Sequence, residues 1–131
     1  MLRVLPGTAD SAAAARQLTR DLLGSGHPAL DTAMLLVSEL VTNSVTHSRS
    51  GLPGGTVTVA VSTGTAGVLI QVRDDGSRTG PRVVATVPTG AECAEHGYGL
   101  LLVAARASTW GTCTTREGRL TWCRVVPQPP G

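Results

Sequence analysis

Glu39, Asn43 and His47 recur at every fourth position within Leu-Val-Ser-Glu-Leu-Val-Thr-Asn-Ser-Val-Thr-His, residues 36–47. On an α-helix that spacing stacks a carboxylate, an amide and an imidazole along one ridge. The ridge is flanked by Leu30, Met34, Val37, Val41 and Val45 on one side and by Leu35, Leu36 and Leu40 on the other. A helix apolar nearly all round is a buried helix, so Glu39 and Asn43 are expected in or beside the interior. No arginine lies within a turn of Glu39, and a buried carboxylate without a partner is very costly. A water, a metal or a bound ligand is the expected partner, which makes this helix the place to look for chemistry.

Two further clusters sit at element ends. In Val72-Arg73-Asp74-Asp75-Gly76, counting by two from Ile70 and Val72 puts Asp74 on the buried face of a strand and turns Asp75 away. A carboxylate there needs a donor, such as a ligand amine or an ordered water, and Gly76 lets a ring approach the backbone closely. The same residues also read as an ordinary acidic turn at a strand end, since Asp-Gly is a common turn pair. In His96-Gly97-Tyr98-Gly99-Leu100, glycines open an apolar helix and can offer free backbone N–H groups to an anion. They can equally serve close backbone packing. A dinucleotide fingerprint does not fit, because no third glycine follows and no strand leads directly in.

Composition narrows the classes that can use such groups. The chain has 131 residues, 41% hydrophobic and 15% charged, which fits one folded domain rather than disorder. With two Trp, one Tyr and no Phe, the core must be built from Val, Leu and Ala. A net charge of +2, without arginine runs or interleaved aromatics, gives no footprint for nucleic acid. All 11 basic residues are Arg, which excludes a P-loop lysine, a kinase-type strand lysine and Schiff-base chemistry. No apolar run approaches the ~18 residues of a membrane span and no signal-peptide pattern opens the chain, so a cytoplasmic protein is expected. Cys93, Cys113 and Cys123 lack metal-type spacing and read as free thiols, although Cys113 and Cys123 could face each other across a hairpin.

The elements that must position these groups follow from periodicity. Leu2–Leu5 reads as an edge strand stopped by Pro6-Gly7. A helix follows from Asp10 to Leu23, capped by Asp10 or Thr8, with Leu18 and Leu22 on its apolar face. Gly24 to Pro28 breaks it, and the second helix spans Ala29 to about Ser48. Val57, Val59 and Val61, then Val68, Ile70 and Val72, alternate as two half-buried strands around a turn at 63–67. Residues 77–96 show no periodicity, which is unusual for so long a stretch in a compact domain and often functional. Leu100–Ala107 reads as a helix, 110–116 and 119–126 as a hairpin around Glu117-Gly118, and 127–131 as a disordered tail after a domain at 1–126. Helices grouped against a mixed, mostly antiparallel sheet make an α+β two-layer sandwich.

Taken together and in this order, an E-x-x-x-N helix, a D-x-G after a strand and a G-x-G-L opening a helix resemble the histidine-kinase-like (Bergerat) ATP-binding fold, shared with gyrase and mismatch-repair ATPases. Within it, Ser-Glu-Leu-Val-Thr-Asn-Ser-Val-Thr-His is similar to the small bacterial anti-sigma factors that act as serine/threonine kinases. The likeness extends to the Pro-Gly-Thr before the first helix, the Gly-His-Pro break, the Trp-Gly pair and the Gly-Arg-Leu-Thr-Trp of the last strand, covering about residues 3–126. It implies ATP and Mg²⁺ as cofactors. Glu39 would be the general base and Asn43 the magnesium-holding residue. Asp74 would accept the adenine amine beside Gly76, and Gly97, Gly99 and Leu100 would cradle phosphate under a lid at 77–96. Thr42 would lie near the phosphates, unless it bonds its own backbone. His47 is expected to pack or support a neighbour rather than to catalyse. Arg16, on the outer face of the first helix, is either a contact for the partner protein or a solvated side chain. The implied partners are a sigma factor and an anti-sigma-factor antagonist phosphorylated on Ser or Thr, with the protein as a homodimer. The alternative is a catalytically weak, ATP-gated binding module. The chain departs from the family pattern at Arg78, where many members carry glycine, and at Tyr98, within the G-x-G.

Overall fold

Alternating valines build the sheet, and two helices close one side of it. The computed structural model describes residues 1–76, 85–86, 103, 105–115 and 118–127, with backbone alone at 49, 85, 86 and 115. The elements are β1 (Leu2–Pro6), α1 (Asp10–Leu23), α2 (Leu30–His47), a 3-10 turn at Arg49–Gly51, β2 (Thr56–Gly64), β3 (Gly67–Asp74), β4 (Ala85–Thr86), β5 (Thr109–Thr115) and β6 (Gly118–Val125). They form one sheet in the order β1-β2-β3-β6-β5-β4. Every described pairing is antiparallel, in line with the mostly antiparallel sheet expected.

Period-two alternation sends Val57, Val59 and Val61 of β2, Val68, Ile70 and Val72 of β3, and Cys123 and Val125 of β6 to the helix-covered face. Trp110 of β5 joins them, and so does Val103, which is helical. The helices answer with Ala15, Ala29, Ala33, Leu36, Val37, Leu40 and Val41. This is the aromatic-poor core of a two-layer α+β sandwich, as the composition requires. No helix among the described residues is long and apolar enough to cross a membrane.

The structure corrects several sequence-based expectations. The buried ridge of α1 is Ser11, Ala15 and Thr19, not Leu18 and Leu22; Leu18 is only half-buried and Leu22 is 39% exposed. Small side chains at i, i+4 spacing suit close packing on α2, and the Thr19 hydroxyl is satisfied by the Ala15 carbonyl at 2.8 Å. Neither Asp10 nor Thr8 caps α1 through its side chain. The N-cap is Ala9, and the first turn is tied down by the Ser11 amide to the Thr8 carbonyl, 3.1 Å, and by the Ser11 hydroxyl to the Pro6 carbonyl. Within 77–96, read as devoid of regular structure, Ala85 and Thr86 pair with Cys113 and Thr112 as an edge strand. Two residues are too few for alternation to show. Cys113 and Cys123 do not face each other: Cys113 pairs with Leu120 and Cys123 with Trp110, and the pleat puts the two thiols on opposite faces. Of the helix expected at Leu100–Ala107, residues 103, 105 and 106 are described as helical, with the Ala107 amide bonded to the Val103 carbonyl at 2.8 Å. Of the expected tail, Pro127 is described without regular structure and 128–131 lie outside the described residues.

Candidate functional site

Helix α2 buries a broad arc from Leu30 and Ala33 through Leu36, Val37, Leu40, Val41 and Ser44, and the Glu39–Asn43 ridge runs along its border. Asn43 is on the inner side, 7% exposed, while Glu39 is half-buried and His47 exposed. Asn43 thus lies in the interior and Glu39 beside it, the two positions the apolar flanks allowed. At the border of the arc, water reaches Glu39 and relieves the cost of leaving it unpaired. Neither the Glu39 nor the Asn43 side chain has a hydrogen-bond partner among the described residues. His47 is not packed as expected, because it lies in the last turn beyond the sheet's cover. Thr42 is exposed. It stands about 100° around the helix from Asn43, lining a small crevice against α1 with Thr8, Ala9, Ala12 and Val45. Arg16 is exposed on α1. Gly97, Gly99 and Leu100 lie outside the described residues.

The end of β3 carries the second half of the site. Asp74 is 1% exposed and Asp75 is exposed, as alternation required. The donor that Asp74 needs comes from the chain itself: Arg119 Nη2 lies 3.1 Å from Oδ2, and the Gly76 amide donates to Oδ1 at 2.8 Å. The second contact is the side-chain-to-backbone turn that Asp favours, so the strand-end-turn reading and the buried-acceptor reading describe the same residue. Each carboxylate oxygen keeps lone pairs for a further donor. Gly76 has φ +89°, a conformation that side-chain-bearing residues rarely adopt. Gly118, at φ +138°, faces it across the strand pair, where an added Cβ would lie 1.8 Å from the Asp74 carbonyl oxygen. Two glycines thus keep the wall beside the carboxylate bare.

A chain of serine hydrogen bonds ties the two halves together. Ser48 Oγ donates to the Ser44 carbonyl of α2 at 2.6 Å and accepts the Ser50 amide at 3.0 Å. Ser50, fully buried, donates from Oγ to the Thr56 carbonyl at 2.5 Å and accepts the Asp75 amide at 2.8 Å. Asp75 in turn accepts the Thr56 amide at 3.2 Å. The C-terminus of α2 is so fixed to the strand end that carries Asp74 and Gly76. Sequence reasoning missed Ser50 and Arg119. Ser50 sits in a Ser/Gly/Pro stretch that reads as loop, and only the β3–β6 register, in which Asp74 pairs with Arg119, reveals the second.

Chemically, a half-used buried carboxylate in a glycine-walled notch accepts N–H groups, and a border amide and carboxylate on a neighbouring helix can hold polar ligand groups. Burial pushes the Cys123 thiol up to about 12 from 9.0 and keeps it protonated. Among the described residues no three His, Cys, Asp or Glu gather into a metal-binding group. Comparison with curated proteins gives no match. The family model described as the histidine kinase-like ATPase domain matches residues 5–124, and the chain belongs to that family.

Proposed function

We propose that this ATP-binding domain is an anti-sigma regulatory factor that holds a sigma factor and phosphorylates an antagonist protein on Ser or Thr. The observation that carries the nucleotide reading is Asp74: buried, acceptor-only when ionised, half-used, and set beside Gly76 and Gly118. In this reading Asp74 accepts the adenine amine and the bare glycine wall admits the ring. The Asn43 side chain fits a Mg²⁺ ion shared with phosphate oxygens, since that ion commonly takes only one or two protein ligands and this amide has no partner among the described residues. When bound there, the ion would neutralise charge on the transferring phosphoryl group. Glu39, one turn away and open to water, takes the proton from the acceptor hydroxyl. Gly97, Gly99 and Leu100 bind phosphate, and Thr42 serves the α1 side of the helix rather than the phosphates. Arg16 belongs to the partner-facing surface, and two copies associate through the sheet.

One observation favours the second reading, an ATP-gated binding module with little turnover. A general base is normally oriented by another group, and Glu39 has no such partner among the described residues. The two readings separate on Glu39→Gln. A kinase carrying it binds ATP and Mg²⁺ about normally but transfers labelled phosphate to its antagonist ~10²–10⁴-fold more slowly, whereas Asn43→Ala loses Mg²⁺-dependent binding and transfer together. If wild type and Glu39→Gln release the partner equally and neither forms phosphoprotein, the binding module is the function. Absence of any calorimetric signal with ATP and Mg²⁺ would remove both.

A further inference from the structure

The ion pair at Asp74 is off-centre. An arginine facing a carboxylate commonly makes two parallel bonds. Here the Gly76 amide donates to Oδ1 at 2.8 Å and the guanidinium reaches Oδ2 alone, through Nη2 at 3.1 Å. Arg119 Nε is left buried without an acceptor among the described residues. The Arg119 side chain is 23% exposed while that of Asp74 is fully covered, so the guanidinium forms the outer part of the pair. Its backbone cannot withdraw, because Gly118 is pressed against the Asp74 carbonyl. The result is a carboxylate that only accepts and, adjoining it, a guanidinium with unused N–H groups that only donate.

We propose that Arg119 determines base specificity at this site by donating to the ring nitrogen N1 of adenine while Asp74 accepts from the neighbouring amine. The inference rests on the reading of Asp74 as the adenine acceptor. Adenine presents a donor amine next to an acceptor ring nitrogen, which the pair complements in order. Hypoxanthine presents the reverse, an acceptor oxygen next to an N–H, and meets acceptor with acceptor and donor with donor. A site that leaves buried polar groups unpaired rejects its ligand strongly.

The test is calorimetric titration of the full chain with ADP, with 1-deazaadenosine diphosphate, in which N1 is replaced by C–H, and with inosine diphosphate. Wild type is expected to lose about tenfold or more in affinity for the deaza analogue, the effect of one charge-assisted hydrogen bond. Arg119→Met keeps the apolar stem but no N–H, and should bind ADP and the deaza analogue alike. Asp74→Asn should instead lose mainly the discrimination against inosine diphosphate. Equal binding of ADP and the deaza analogue by wild type, or an unchanged ratio in Arg119→Met, overturns the role of Arg119. Should Arg119→Met fail to fold by circular dichroism, Arg119→Lys takes its place. A point charge without the planar fork should narrow the ratio, and an unchanged ratio again overturns the proposal. Failure of wild type to bind ADP removes the adenine site itself, whereas binding that needs Asp74 and ignores N1 removes only Arg119.

Discussion

Gly118 and Gly54 both have positive φ, +138° and +81°, yet only one has a neighbour in the way. An added Cβ at Gly118 would overlap the Asp74 carbonyl oxygen at 1.8 Å, whereas at Gly54 it meets open space. Gly118→Ala should therefore force β3 and β6 apart at the site and lower the melting temperature by on the order of 5–15 °C. Gly54→Ala, paying only for its backbone conformation, should cost about 1 kcal/mol. Thermal melts giving equal losses would mean that the Asp74 wall is not tight. Asp74 was legible because a period of two fixes which face a strand residue takes. Its partner Arg119 was not, since it lies 45 residues further on and meets Asp74 only through strand register. Glu39 was half legible: the ridge is real, but whether it lies inside or at the border of the buried arc depends on how α2 is rolled against the sheet.

At the scale of elements, the serine chain between α2 and β3 makes a separate claim. Ser50→Ala removes a donor to Thr56 and an acceptor for the Asp75 amide in a fully buried position. Leaving those backbone groups unpaired costs about 1–3 kcal/mol, to be read as a lower urea midpoint. If the latch also aligns α2 with the strand end, ADP affinity should fall beyond what stability explains, while remaining unchanged in a mutant of equal stability loss far from the site. The helices α1 and α2 and the strands β1, β2, β3, β5 and β6 were readable to within a residue or two. β4 was not, being too short, and the buried face of α1 was misjudged because leucines were weighed above the small residues that close helix packing needs.

For the whole molecule, the edge strand β1 and the sheet face turned away from α1 and α2 bear on association. Leu2 and Val4 are 69% and 65% exposed on the edge strand, and the register places them with Ala60 and Thr58 on the face away from the helices. Association through this face predicts a dimer by light scattering at micromolar concentration, weakened by Leu2→Asp or Val4→Asp with the fold intact. A monomer from wild type under those conditions would leave the face uncovered. Family membership, which covers residues 5–124, was legible because its motifs follow one another along the chain in a fixed order. The shape of the sheet was legible only in part, since strand order is a long-range property.

The β5–β6 hairpin also sets the optical behaviour of the protein. Trp110 pairs with Cys123 and is buried at 7% exposure, whereas Trp122, paired with Gly111, is half-buried on the other side of the same sheet. Gly111 has no side chain, and an added Cβ there would lie 2.7 Å from the Trp122 indole nitrogen, so that ring lies flat over bare backbone. The chain thus carries two fluorophores that look out from opposite faces of one sheet, with no other tryptophan to blur them. Iodide should quench one emitting population and spare the other. A second copy settling on the open face should blue-shift the quenchable component alone, and loosening of the helix layer should red-shift the protected one.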